Sequence, residues 1–256
     1  MRLFPRFMYG ITVLGLIFAS ACSSELPATV TPTLVPPTPI LPTPTSAPQT
    51  STFTTPDGAD IEATLYGSGD TAVIFSVMGN CTRGWEDMAQ LVAQHGMTAL
   101  TYQWRACKGS GTVQETELRK FVDDLRGAII FMREQGATKI ILAGASLGGV
   151  ASAKLAVATS PNALVIVASP REIEEWGFEI TLGDVNIDMP KLFITAENDS
   201  VVPPDKTREL FDLVAEPKEW QTYPGTAHGT DLFQTEHGKA MEKRILEFIL
   251  MIAAKP

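Results

Sequence analysis

The 256 residues include 20 basic and 29 acidic side chains, for a formal charge of −9 at neutral pH, with 45% hydrophobic residues. An acidic chain of this kind is a poor partner for nucleic acid, and none is predicted. The sequence has no CxxC, HExxH or EF-hand spacing, so it predicts neither a metal nor a cofactor.

The N-terminus carries Arg2 and Arg6 ahead of an uncharged apolar run from Phe7 to Phe18, then Ala19, Ser20 and Ala21. Such an order reads as a bacterial secretory signal, and the run is short for a membrane span. The small residues lead into Cys22, which resembles a lipobox cysteine that is acylated and becomes the first residue, with Ala19 in place of the usual leucine. Residues 1–21 are accordingly expected to be a signal peptide and Cys22 a lipid anchor to a bacterial membrane. This predicts a secreted, cell-surface or periplasmic lipoprotein; an ordinary cleaved signal or an uncleaved anchor is the alternative.

From Pro27 to Thr50, eight prolines and seven threonines fill most of the positions, and no charge occurs from Leu26 to Pro56. A segment of this composition cannot bury a core. Residues 22–50 are expected to form a lipidated spacer, about 75 Å long at polyproline rise. The rest, residues 51–256, fits one compact domain. Apart from Cys22 the chain has two cysteines, Cys81 and Cys107, and in an exported protein they could pair.

Within that domain a hairpin-like start (Phe53–Thr55, then Ile61–Tyr66) precedes an alternation of strand-like and helical patterns. The strand candidates are Ala72–Val77, Thr98–Tyr102, Lys139–Ala143, Ala163–Ala168, Lys191–Thr195 and Glu219–Tyr223. Helical patterns lie at Trp85–Gln94, Glu115–Gln135, Leu147–Thr159, Pro204–Val214 and Glu236–Ile252. This order predicts an α/β fold whose central sheet is mostly parallel and flanked by helices.

The run Lys139–Gly149 passes from a buried strand through Gly144-Ala145-Ser146-Leu147-Gly148 into a helix, a G-x-S-x-G turn. A sharp turn of this kind lifts the serine oxygen above the sheet, and the helix that follows directs its first amides at the same point. From Phe53 to the C-terminus the chain resembles the α/β-hydrolase superfamily, particularly its small serine-esterase and dienelactone-hydrolase-like members. The resemblance implies a nucleophile, an acid and a histidine in that order.

Ala196-Glu197-Asn198-Asp199-Ser200-Val201-Val202-Pro203 is similar to the family's acid loop, so the resemblance assigns Asp199 as the acid, with Glu197 as the nearest competitor. Pro224-Gly225-Thr226-Ala227-His228-Gly229 is similar to its histidine loop and assigns His228 as the base. His95 and His237 precede glycines at probable helix ends and read as cap or surface residues. Met78-Gly79-Asn80 stands where many members have His-Gly-Asn, so the oxyanion donors would be the backbone amides of Asn80 and Leu147. The resemblance also places Cys81 and Cys107 on adjacent loops, which implies a disulfide that pins the oxyanion loop.

These assignments imply a serine hydrolase acting on a small-molecule carboxylic ester through an acyl-enzyme. A peptidase or thioesterase with the same triad is the rival, as is a non-catalytic binding protein on a hydrolase fold. Only about twenty residues separate Ala168 from Lys191, which predicts a minimal lid or none. Trp85, Trp104 and Trp176 are candidates for lining the site, with core packing at least as good a reading for each.

Overall fold

The computed structural model describes residues 47–81, 84–107 and 113–255. The expected signal peptide, Cys22 and most of the Pro/Thr-rich spacer lie outside the described residues. No helix among the described residues is long and apolar enough to cross a membrane.

Two strands open the domain, β1 (Gln49–Thr54) and β2 (Asp60–Gly67), paired antiparallel around the turn at Gly58. Strand β1 therefore begins two residues ahead of the expected domain start at Ser51. Next come β3 (Thr71–Ser76), α1 (Glu86–Gln94), β4 (Thr98–Tyr102), the short α2 (Glu115–Leu118), α3 (Phe121–Glu134) and β5 (Lys139–Ala145). Helices α4 (Leu147–Lys154) and α5 (Ala156–Thr159) lead to β6 (Ala163–Val167). A small hairpin of β7 (Glu172–Ile173) and β8 (Phe178–Glu179), then α6 (Leu182–Val185), precedes β9 (Lys191–Ala196). The chain ends through α7 (Pro204–Leu213), β10 (Lys218–Tyr223) and α8 (Gly238–Ala253).

The main sheet has eight strands in the order β1-β2-β4-β3-β5-β6-β9-β10. From β4 to β10 every pairing is parallel, and the two antiparallel pairings, β1 with β2 and β2 with β4, lie at one edge. The burial of each strand follows from its place. β3 and β9 are buried at every residue, as expected for parallel strands covered by helices on both faces. β2 alternates between exposed and buried near its start, as a strand covered on one face does. Lys191 opens β9 fully buried because its Nζ donates to the carbonyls of Ile187, Met189 and Ala215 at 2.9, 2.7 and 3.1 Å.

Helix α3 buries Phe121, Leu125, Ala128, Ile129 and Met132 along one stripe, so packing on the sheet stabilises a helix of marginal length. The single helix expected over Glu115–Gln135 is instead two. The chain turns at Arg119 and Lys120, so that Leu118 reaches a cleft while α3 lies against the sheet. The expected Leu147–Thr159 helix is likewise interrupted, at Leu155. Helix α4, Leu-Gly-Gly-Val-Ala-Ser-Ala-Lys, is buried on nearly all sides, as its small and apolar residues allow.

Strand β3 has β4 on one side and β5 on the other, so the order reverses there. A crevice opens at such a switch point, outside the carboxyl ends of the strands. The loops after β3, β5, β9 and β10 meet at that end of the sheet.

Candidate active site

Ser146 sits between β5 and α4 with φ 53° and ψ −119°, a conformation that costs a non-glycine residue of order 1–3 kcal/mol. The turn is held from both sides. The Ser146 amide donates to Val167 O at 2.8 Å, and its carbonyl accepts from Gly149 and Val150 at 3.0 and 3.1 Å. So sharp a reversal brings strand and helix backbones into contact: a Cβ on Gly144 would lie 2.2 Å from the carbonyl carbon and oxygen of Gly148. Glycine at 144 is therefore a requirement of the turn.

Asp199 follows β9, and its side chain is fully buried. The amides of Val201 and Val202 both donate to its Oδ1 at 2.9 Å. His228 follows β10, and its Nδ1 lies 2.9 Å from Asp199 Oδ2 and 3.1 Å from Oδ1. A carboxylate only accepts, so Nδ1 carries a proton and donates, which in the neutral imidazole leaves the lone pair on Nε2. Gly229, at φ +56°, lets this loop approach: a Cβ there would meet Met78 Sδ at 2.4 Å and Ala145 Cβ at 3.4 Å. The contact brings the histidine loop against the residues flanking the serine and the oxyanion loop.

Ser146 and His228 both line a cleft of about 360 Å3 whose walls also include Met78, Gly79, Asn80, Leu147, Val150 and Trp176. No hydrogen bond joins Ser146 to His228 among the described residues, a common looseness in sites without substrate. The competitor Glu197 is exposed, and its amide donates to Tyr223 O at 2.9 Å; its carboxylate makes no bond to His228 among the described residues. His95 ends α1, with Nδ1 2.8 Å from Leu91 O. His237 precedes α8, stacked on Tyr223.

The loop after β3, which carries Asn80, is held from behind. Trp85 Nε1 donates to Ser76 O at 3.0 Å and Trp104 Nε1 to Met78 O at 3.1 Å, while the Cys81 amide donates to Met78 O at 3.2 Å. Cys81 and Cys107 form a disulfide with their Cα atoms 5.8 Å apart. On the far side of this linkage, Arg105 is nearly buried and donates through Nε to Asp124 at 2.6 Å and through both terminal nitrogens to Asp57 at 2.6 and 2.7 Å. The Arg105 guanidinium and the Thr55 hydroxyl hold the Asp57 carboxyl well below the usual carboxylate range. In front, Leu147 packs on Gly79, so the loops bearing the two proposed oxyanion amides are in contact.

Of the three tryptophans considered for the site, Trp85 and Trp104 are core residues and Trp176 lines the cleft. Residues 169–190 hold no helix longer than α6; the β7–β8 hairpin stands where a lid would be and brings Ile173 and Trp176 to the wall. Leu118, Pro170, Val201 and Asp231 also line the cleft. No local motif marks these four, because long-range packing brings them there. No cluster of three metal-ligating side chains occurs among the described residues.

No family model matches the sequence, and no curated protein does either. Solved structures do match. The esterase Pf2001 of Pyrococcus furiosus superposes with a TM-score of 0.65 at 16% identity, over 80% of this chain and 90% of its own. The esterase domain of a Rhodothermus marinus protein gives 0.62 at 16%, over 78% and 96%. XC6422 of Xanthomonas campestris, described as an α/β serine hydrolase without lid, gives 0.63 at 16%, over 82% and 97%. The chain therefore has the lidless α/β-hydrolase fold. At such identities the likeness establishes the fold alone.

Proposed function

We propose that this chain is a serine hydrolase of carboxylic esters, with Ser146 as nucleophile, His228 as base and Asp199 as the residue that orients it. The observation that carries the reading is the conjunction at one cleft: a serine in a strained strand-to-helix turn, and an imidazole whose Nδ1–H a buried carboxylate holds. His228 Nε2 takes the Ser146 proton as Oγ bonds to the ester carbonyl carbon. The tetrahedral oxyanion accepts hydrogen bonds from the Asn80 and Leu147 amides. His228 then gives its proton to the leaving alkoxide, the C–O bond breaks, and the acyl-serine is hydrolysed by the same steps with water.

The same proposal places the enzyme outside the cytoplasm. Residues 1–21 act as a signal peptide, Cys22 carries the lipid, residues 22–50 form the spacer and residues 51–256 the catalytic domain. The support is the order of charge, apolar run, small residues and cysteine, followed by a proline-rich segment.

The test is fluorophosphonate labelling of the full-length chain beside Ser146→Ala, with peptide mass mapping of the adduct. Labelling confined to Ser146 in the wild type is the expected result. A well-folded wild type without an adduct would point to a binding protein on a hydrolase fold.

A further inference from the structure

The cleft has two chemically different ends. Around an attacked ester the oxygen faces the oxyanion amides, the leaving alcohol faces the histidine that protonates it, and the acyl group takes the remaining direction. On the histidine side stand Val201, two residues beyond Asp199, and Asp231, whose amide donates to His228 O at 3.0 Å. Leu118 of α2, Val150 of α4, and Ile173 and Trp176 of the β7–β8 hairpin line the cleft from elements other than the acid and histidine loops, and are assigned here to the acyl group.

The acyl side is apolar throughout, and its cap is braced: Trp176 meets Phe121 with ring centroids 6.1 Å apart, and Arg119 lies over its face at 5.6 Å. The histidine side carries an exposed valine, 65% accessible, and an exposed carboxylate. Asp231 is the only carboxylate lining the cleft among the described residues, and it has no ion pair there. Among the described residues, Arg119 pairs with Glu115 at 2.8 Å, Arg171 with Glu179, and Lys206 with Glu209 and Glu172 at 3.4 and 3.8 Å. No cation among the described residues pairs with Asp231, so the leaving group departs past its negative charge.

We propose that the site takes esters joining an apolar acyl group to a neutral or cationic alcohol, and that Asp231 is the residue that selects against anionic alcohols. The proposal rests on the serine-hydrolase reading above. It sets acyl-phosphoesters and nucleotide-bearing thioesters apart from the preferred substrates, because their leaving groups would bring negative charge beside Asp231.

Three butyrate esters test this on the full-length chain: of 2-methoxyethanol (neutral), choline (cationic) and isethionate (anionic), each followed by titration of released acid. Even in the full dielectric of water, a unit charge about 6 Å from the carboxylate is worth about threefold in rate. Asp231→Asn should therefore lower the choline-to-isethionate ratio of kcat/KM about tenfold, and Asp231→Glu should keep it. In the wild type the ratio should also shrink as salt is raised from about 10 mM to 1 M. Isethionate butyrate cleaved as readily as choline butyrate, or a ratio that Asp231→Asn leaves unchanged, overturns the substrate class. So does a chain that fluorophosphonate labels but that cleaves none of the three. A chain that is neither labelled nor active overturns the serine-hydrolase reading beneath it.

Discussion

Gly144→Ala is a demanding test of the strand-to-helix turn. The added methyl would sit 2.2 Å from Gly148 C and O and 2.5 Å from Gly149 N. Carbon atoms rest comfortably at about 3.5–4.0 Å, so the overlap exceeds about 1 Å, and every atom it meets is backbone. The first turn of α4 has no room to retreat. Gly148 is itself packed on the Ser76 carbonyl, where a Cβ would lie 2.3 Å away, and Gly149 on Ser169 Oγ at 2.0 Å. Relief must come from displacing the strand or the helix. The expected cost is about 1–3 kcal/mol of stability, as for overpacked cores. Activity should suffer more, because a displacement of about 1 Å at the serine is worth about a hundredfold in rate. Urea unfolding and kcat/KM on a neutral butyrate ester measure both. Gly183→Ala is the control: its Cβ would meet nothing nearer than 3.6 Å, so stability should stay within about 0.5 kcal/mol. If Gly144→Ala kept activity within about twofold and unfolded at the wild-type urea concentration, the account of the turn would be wrong.

The back support of the oxyanion loop and the Arg105 cluster give two further predictions. Trp104→Phe keeps the aromatic packing against Tyr102 and Phe121 but removes the 3.1 Å bond to Met78 O; it should cost about 1–3 kcal/mol of stability and lower kcat with little change in KM. A rise in KM at constant kcat would assign Trp104 to substrate binding instead. Asp57→Asn tests pH dependence. The native carboxyl is held below its unfolded value, so its contribution is complete above about pH 4 and is lost as pH falls from there towards the folded value. With the side chain 33% exposed, solvent screening limits the effect to about 1 kcal/mol. Thermal melts should separate wild type from variant at pH 7 and draw them closer as pH falls towards 2; a constant gap would refute the linkage.

Much of the frame was legible before any coordinates. Thr98–Tyr102 was expected at the same ends it has in the structure, and Lys139–Ala143 fell short only by Gly144 and Ala145. Continuous apolar runs mark parallel strands because both faces are covered, and a glycine-flanked serine after such a run marks a turn that larger residues would block. The interruptions at Arg119–Lys120 and Leu155 were not legible, since the apolar spacing continues across both. The β7–β8 hairpin is only two residues per strand, too short for a period to register.

The sequence alone determined the alternation of strands and helices, the turn that bears Ser146 and the loops that carry Asp199 and His228, because each is written in neighbouring residues. Only the tertiary structure decided that Asp199 rather than Glu197 meets His228, that Trp85 and Trp104 brace the end of β3 and the loop after it, and that Trp176 and Asp231 line the cleft. Those relations join residues brought together by the order of strands in the sheet, and no local pattern encodes which side chain faces which once loops distant in sequence converge at one edge.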